Sequence, residues 1–289
     1  MGTHRGPLAL GALPERARRV RRAAARPRIL HPRARLLPGR TLGVEVAYRP
    51  ASLPLEADAR VGNGTLYGND TALPTAEARL DLDLGRTREG DHRADRYGLR
   101  LGVGGSLGTV FDRAGVALTP AAGFAFDRAP VVSGTRWLAE AHLLAHAGPV
   151  QLLVEAAFAR ESRERDDDGN PATPRVALAA VESGGVSAEL AWMVVGAHRT
   201  PAAWPGEGGR RWGAVEVAGR YERVYSHAAA ADVTPAGTHA GALAVRWWAP
   251  RWVTVALAAY AYRYGQAPLE EPGVTASWLA LLRVGLSLR

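Results

Sequence analysis

The 289-residue chain contains no cysteine, which excludes disulfides, thiolate nucleophiles and cysteine metal sites. It also contains no lysine, so all 36 of its basic residues are arginines. Phenylalanine and methionine are scarce, with four and two residues, whereas tryptophan and tyrosine number eight each. Trp and Tyr favour boundaries between apolar and aqueous surroundings, because each combines an apolar ring with a polar atom.

Long apolar runs are missing as well. A membrane-spanning helix needs about 20 consecutive apolar residues. The longest stretch free of Asp, Glu and Arg is Ala141–Val154, and the dipeptide Gly148-Pro149 interrupts it. A strand crosses a bilayer with only about 9–11 residues, so the sequence excludes helical spans and leaves strands open.

The net charge of +8 is concentrated at the start of the chain. Residues 1–40 contain many Arg and Pro and a single acid, Glu15, whereas acids slightly outnumber arginines from residue 41 onward. We therefore divide the chain into an irregular Arg/Pro-rich segment, 1–40, and a second domain, 41–289. An apolar stretch typical of a signal peptide is not recognisable in 1–40, which predicts that the chain is not exported or that its natural beginning is missing.

From residue 41 the chain alternates between polar and apolar residues. AEARLDLDL, 76–84, sets Glu77, Arg79, Asp81 and Asp83 against Ala and Leu, which is the pattern of a strand with one polar face. Similar patterns predict eleven strands, at 42–48, 55–61, 76–84, 97–103, 135–146, 150–160, 184–195, 213–224, 239–248, 252–263 and 276–288. Short turns largely alternate with long loops between them, as in outer-membrane barrels.

Three short motifs could carry chemistry, and none is convincing. Gly104–Gly108 matches a nucleophile elbow, but no helix-forming sequence follows it. Asp166–Asn170 resembles part of a calcium loop without its bidentate Glu. His142 and His146 share a face without a third ligand. The sequence therefore predicts no metal, no cofactor and no enzymatic activity.

Several segments in order resemble the phosphate-selective (O/P-type) porin family of Gram-negative outer membranes. The resemblance covers about residues 26–289 and is carried by LLPGRTLGVEV (36–46), RVGNGTLYGND (60–70), AEARLDLDL (76–84), GPVQLLVEAAFARE (148–161), WGAVEVAGRYERV (212–224) and ALAVRWWAPRWVTVALAAYAY (242–262), together with the terminal strand.

This resemblance implies an antiparallel transmembrane β-barrel of sixteen strands in the outer membrane, usually trimeric, that passes anions such as phosphate. Its partners would be outer-membrane lipid and small anions or other hydrophilic solutes, with no nucleic acid expected. Only about eleven strands are visible, so the resemblance implies that the signal peptide and about five N-terminal strands of the family lie outside this sequence. The final Leu-Arg departs from the family's terminal aromatic residue.

Alternation assigns a role to the side chains of a porin, because polar residues face the lumen and apolar residues face lipid. The residues predicted to line the pore are Arg60, Arg79, Arg100, Glu216, Arg220, Glu222, Arg246 and Arg283. The residues predicted to form an aromatic girdle at the membrane boundary are Trp137, Trp212, Tyr221, Trp247, Trp252, Tyr260 and Trp278.

Two other classes of protein remain open at this point. One is an outer-membrane barrel with a structural or binding role and no open pore. The other is a soluble β-protein whose basic arm, 16–40, binds nucleic acid.

Overall fold

A computed structural model describes residues 43–50, 53–62, 75–84, 97–114, 131–165, 174–196, 213–230, 233, 235–249, 253–266 and 273–286. Residues 1–40, which the sequence separates as an Arg/Pro-rich segment, lie outside this part of the chain. The strands are β1 (Gly43–Tyr48), β2 (Leu55–Gly62), β3 (Thr75–Leu84), β4 (Tyr97–Ala114), β5 (Val131–Ala147), β6 (Val150–Arg165), β7 (Val176–Val195), β8 (Ala214–Ala228), β9 (Ala236–Trp248), β10 (Val253–Tyr264) and β11 (Ala276–Leu286).

These strands form a single 11-stranded sheet in which spatial order follows chain order from β1 to β11. Every neighbouring pair is antiparallel, so each strand returns beside the one before it. The predicted all-β antiparallel fold class is confirmed. Among the described residues, no helix is long and apolar enough to cross a membrane.

The strands β4 to β7 are longer than the sequence pattern predicts. β4 continues to Ala114 although alternation between polar and apolar residues ends near Val103, and β7 begins at Val176. The extra residues are held by ladder hydrogen bonds between main-chain groups, which require no particular side chain. Periodicity reports side-chain environment, so it misses strand ends where neither face is uniformly apolar.

The two faces of the sheet differ in chemistry. One face, here called the apolar face, exposes Leu80, Val103, Leu190, Leu257 and Leu282. The opposite face, here called the polar face, contains the charged residues of the alternating segments, and many of these are buried. Crowding on one face and exposure on the other is expected of a sheet that curls around its polar side, as barrel walls do.

Both ends of the sheet are strands of the same direction. In an antiparallel series, odd-numbered strands run parallel to one another, so β1 and β11 point the same way. These two strands cannot pair with each other in the antiparallel manner that joins all the other neighbours. An antiparallel barrel built from this sheet therefore needs an odd number of additional strands between β11 and β1.

A charge placed on the apolar face should show experimentally that the two faces have different environments. Val103 lies mid-strand on that face, and Ser106 lies on the polar face of the same strand opposite Glu77. We expect Val103→Arg to reduce the free energy of unfolding in lipid vesicles by roughly 2–4 kcal/mol, the value for Arg facing lipid at mid-bilayer. The measurement is a urea titration of the folded fraction.

The matched control is Ser106→Arg, which adds the same side chain next to a carboxylate on the polar face. It should lower stability by less than about 1 kcal/mol. Equal losses in the two variants would contradict the assignment of the faces.

Candidate functional site

The charged residues predicted to line a pore all lie on the polar face. Cross-strand partners in the ladder show this, because residues that pair directly project to the same side. Arg60 pairs with Glu77, Glu216 with Arg246, and Arg283 with Ala256. That they face the lumen of an open pore stays a prediction.

Asp81 on β3 is the centre of the densest charged cluster on this face. Its side chain is 2% exposed, and three bases surround its carboxylate. Arg79 Nε lies 2.8 Å from Oδ2, Arg100 Nη2 lies 2.9 Å from the same oxygen, and His142 Nε2 lies 2.9 Å from Oδ1. The cluster therefore ties together three consecutive strands, β3, β4 and β5.

A row of glycines on β4 makes room for this cluster. Gly98, Gly102, Gly104 and Gly108 all lie on the polar face, each opposite a side chain of a neighbouring strand. A Cβ added to Gly102 would lie 2.1 Å from His142 Cε1 and 2.3 Å from Asp81 Oδ1, well inside van der Waals contact. The side chains of β3 and β5 thus meet across a strand that has none of its own at these positions.

A second charged cluster crosses β7, β8 and β9. Arg246 Nη1 donates a hydrogen bond of 2.5 Å to Glu216 Oε1, and both groups are buried. The Arg246 guanidinium also lies 5.3 Å from the ring centroid of Trp248, within range of a cation–π contact. Arg220 contacts Glu222 on its own strand and lies 3.6 Å from Glu189 on β7.

Acids accompany the arginines across the rest of the polar face. Arg60 Nε lies 3.7 Å from Glu77, and Arg136 Nε lies 3.3 Å from the buried Glu161. The sequence-based list named eight lining residues, only two of them acids, and so missed the acids that face these arginines. The sequence did signal Glu77 and Asp81, which occupy polar positions of the predicted strand 76–84, whereas Glu161 lies one residue beyond the predicted strand 150–160.

Apolar clusters interrupt the charged surface towards the strand ends. Val224, Ala236, Ala240, Tyr262 and Tyr264 form one of them on the polar face of β8 to β10. Tyr260, Tyr262 and Tyr264 stack in sequence, with ring centroids 6.1 and 6.3 Å apart. Strict alternation of polar and apolar residues does not predict such clusters.

The structure corrects the predicted aromatic girdle at one residue, Tyr260. The ladder pairs it with Ala242 and Leu279, and it packs against the cluster that contains Tyr262, so it lies on the polar face. A girdle residue must face lipid. The sequence analysis grouped residues by aromatic character and overlooked the phase of Tyr260 within β10.

The other described residues of the predicted girdle project from the apolar face, and a girdle role for them stays a prediction. Trp137, Tyr221, Trp247 and Trp278 are 38%, 47%, 38% and 81% exposed. Trp212 and Trp252 lie outside the described residues. Tyr48, Tyr97 and Trp192 also project from this face near short connections, and the sequence-based list missed them.

The spacing of these aromatics can be compared with the thickness of an outer membrane. Tyr97 pairs with Ala147 at one end of β5, and Trp137 lies about ten residues away on the same strand. At ~3.3 Å per residue this separation is about 33 Å. A strand tilt of about 40° reduces it to roughly 25 Å of height, the thickness of the apolar band of outer-membrane barrels.

The structure locates two of the three short motifs that the sequence analysis examined. Ser106 of the elbow-like Gly104–Gly108 lies in the interior of β4, where the backbone is extended instead of turning sharply. His142 faces Asp81 and His146 faces Gly98, both on the polar face. Asp166–Asn170 lies outside the described residues.

Fold and surface together define an 11-stranded antiparallel sheet with one apolar and one charged face. No family model and no curated protein matches the chain. Among solved structures it is similar to OmpT of Vibrio cholerae. An in-vitro folded form, described as an outer membrane protein in trimer form, has 14% identity and a TM-score of 0.42, and the match covers 82% of this chain and 61% of that chain.

OmpT expressed in the outer membrane of Vibrio cholerae is a second neighbour. It has 15% identity and a TM-score of 0.41, and the match covers 77% of this chain and 54% of that chain. The chain thus spans less than two thirds of the length of either neighbour. The predicted outer-membrane location agrees with both descriptions, whereas neither names a phosphate-selective porin, so that family stays a prediction.

The prediction that the chain is not an enzyme is withdrawn as a correction. The descriptions of the similar solved structures give no ground for that exclusion. It rested on short motifs, and a motif search cannot detect catalytic groups that only the fold brings together.

Adding a methyl group at Gly102 should disrupt the Asp81 cluster. We expect Gly102→Ala to lower the free energy of unfolding by about 1–3 kcal/mol, the usual effect of overpacking, because Asp81 and His142 must move. Gly241→Ala is the matched control, since nothing lies within 4 Å of a Cβ there. Its stability should be unchanged or slightly higher, and two equal losses would contradict the packing described for β4.

Removing the charge of Asp81 tests the same cluster electrostatically. Asp81→Asn leaves Arg79 and Arg100 without their shared carboxylate, and we expect a loss of about 3 kcal/mol, the low end for a broken buried pair. Asp58→Asn is the control, because its partner Arg49 is 51% exposed and such pairs contribute less than about 1 kcal/mol. Urea unfolding of both variants in the same vesicles measures the difference, and a loss at Asp81 no larger than at Asp58 would contradict the account.

Proposed function

We propose that these strands form part of the wall of an outer-membrane β-barrel, and that the polar face lines a water-filled pore for the passive diffusion of small hydrophilic solutes. The observation that supports this most strongly is the separation of the two faces. Most of the charged side chains from β2 to β11 share one face, while the other exposes apolar side chains along the whole sheet.

Water on the polar side fits the exposure of the charged groups there. Four arginines of this face each have an acid beside them, and yet 25–28% of each side-chain surface remains exposed. They are Arg60, Arg79, Arg100 and Arg136. A charge that faces lipid at mid-bilayer is strongly unfavourable, whereas a lumen contains water that solvates it. A row of partly exposed ion pairs is therefore suited to the wall of a hydrated channel.

The selectivity that we propose is weak. A column of unpaired arginines would lower the electrostatic barrier for anions. Here Asp81, Glu161, Glu189 and Glu216 stand beside the arginines of the same face, and their fields largely cancel. Phosphate selectivity, which the family resemblance implies, is for this reason not the function that the polar face supports best.

Closure of the barrel requires strands in addition to β1–β11. Because β1 and β11 run in the same direction, an antiparallel barrel needs an odd number of further strands. The sixteen strands of the porin family would supply five, which satisfies this parity. A homotrimer is also a property of that family, and analytical ultracentrifugation of the folded protein tests it.

The test of a pore is conductance in a planar bilayer. We expect the full-length folded protein to give discrete conductance steps. Arg60→Gln combined with Arg283→Gln should shift the reversal potential in a salt gradient towards cations, because two positive charges leave the polar face. Arg283 is exposed and has no ion pair with any described residue, so its charge should act strongly on passing ions.

Arg160→Gln is the matched control, because Arg160 pairs with Glu182 on the apolar face. It should leave the reversal potential unchanged. A folded protein, shown by a shifted band in an unboiled gel, that gives no conductance would favour the alternative of a barrel with a binding or structural role. An equal shift in both variants would contradict the assignment of Arg60 and Arg283 to the lumen.

A further inference from the structure

A row of basic residues crosses the apolar face at the edge of its apolar band. Arg223 on β8 pairs in the ladder with His239 on β9, and His239 pairs with Arg263 on β10. All three are exposed. They lie towards the end of the sheet that we call the long-loop side, because four of its five connections have at least ten residues, against two of five at the other end. We call Arg223, His239 and Arg263 the basic row.

The position of this row corresponds to the polar boundary of a membrane. The next residues towards the short-turn end on the same face are Tyr221, Gly241 and Ala261, and apolar residues continue beyond them. Along these three strands, the basic row thus provides the first charged residues that follow the apolar band towards the long-loop side. Arginines at this level reach the headgroups of the adjoining lipid leaflet.

The row differs from every charged cluster on the polar face in having no acid. Arg223 and Arg263 form no ion pair with any described residue, and the nearest charged pairs on the same face use Glu182 for Arg160 and His227. Arg223 and Arg263 flank His239 on the same rung, so two positive charges lie two strand spacings apart with no acid between them. An external anion that bridges the two guanidinium groups would balance these charges.

His239 is held in place to take part in such a site. Its Nδ1 lies 2.8 Å from the hydroxyl of Tyr221. When that hydroxyl donates the hydrogen bond, the proton of a neutral imidazole is on Nε2 and is available to an acceptor. Adjacent strands place cross-strand side chains about 5 Å apart, so the basic row spans roughly 10 Å, which one phosphorylated headgroup can bridge.

We propose that the basic row binds the phosphate of a lipid headgroup in the leaflet on the long-loop side of the membrane. The site rests on the proposed location of the sheet in a membrane, and it does not depend on whether the barrel conducts. Guanidinium groups suit phosphate oxygens, because each presents several donors in one plane. The apolar band directly below the row would contact the acyl chains of the same lipid.

The experiment measures binding of lipid A, the phosphorylated outer-leaflet lipid anchor, to the folded full-length protein in detergent by native mass spectrometry. We expect Arg223→Gln combined with Arg263→Gln to weaken binding by about ten- to thirtyfold, the effect of losing two charge contacts at a membrane surface. Arg160→Gln, which removes an arginine already paired on the same face, should leave the affinity unchanged. Dephosphorylated lipid A should bind the parent protein as weakly as phosphorylated lipid A binds the double variant.

Three results would overturn the site. The double variant could bind lipid A as tightly as the parent protein, or removal of the phosphates could have no effect. Inorganic phosphate at equal concentration could displace lipid A, which would identify a site for free anions. A band shift in unboiled gels, recorded for each variant, separates these outcomes from failure of the barrel to fold, and conductance is measured independently.

Discussion

The antiparallel pairing that joins each strand from β1 to β11 to the next determines the other features of the molecule. In a ladder, residues that face each other project to the same side, so the phase of one strand constrains the phase of the next. A slip of one residue in any pair would move its charged side chains to the apolar face. The separation into two faces is therefore a cooperative property of the whole sheet.

Ion pairs on the polar face reinforce this register. Asp81 binds groups from β4 and β5 as well as its own strand, and Arg246 binds Glu216 across β8 and β9. Each pair is possible in one register only, because the partners must occupy the same rung or adjacent rungs. Such pairs contribute more to the choice of register than to net stability, since desolvation offsets much of their attraction. The same acids also neutralise the arginines, which links the stability of the sheet to the weak selectivity proposed for the pore.

The sequence predicts the number, order and phase of the strands well, because a polar and an apolar face impose a period of two. It predicts less about contacts. That Gly102 accommodates His142 and Asp81 depends on the register between three strands, which a single sequence does not reveal. The error at Tyr260 has a different cause. The alternation along β10 already placed this residue on the polar face, but its aromatic character was given more weight than its position. The long ends of β4 and β7 were missed because main-chain hydrogen bonds hold them without a side-chain pattern.

The central claim is that one face of the sheet meets water and the other meets lipid. Because the chain has no cysteine, single substitutions along β9 can test it without background. Ala242→Cys and Ala244→Cys lie on the polar face, and Leu243→Cys and Val245→Cys lie on the apolar face. In vesicles, a membrane-impermeant maleimide should modify the first two, and a lipid-phase quencher should act on a fluorophore at the other two. Equal modification at all four positions, or the reverse pattern, would contradict the account.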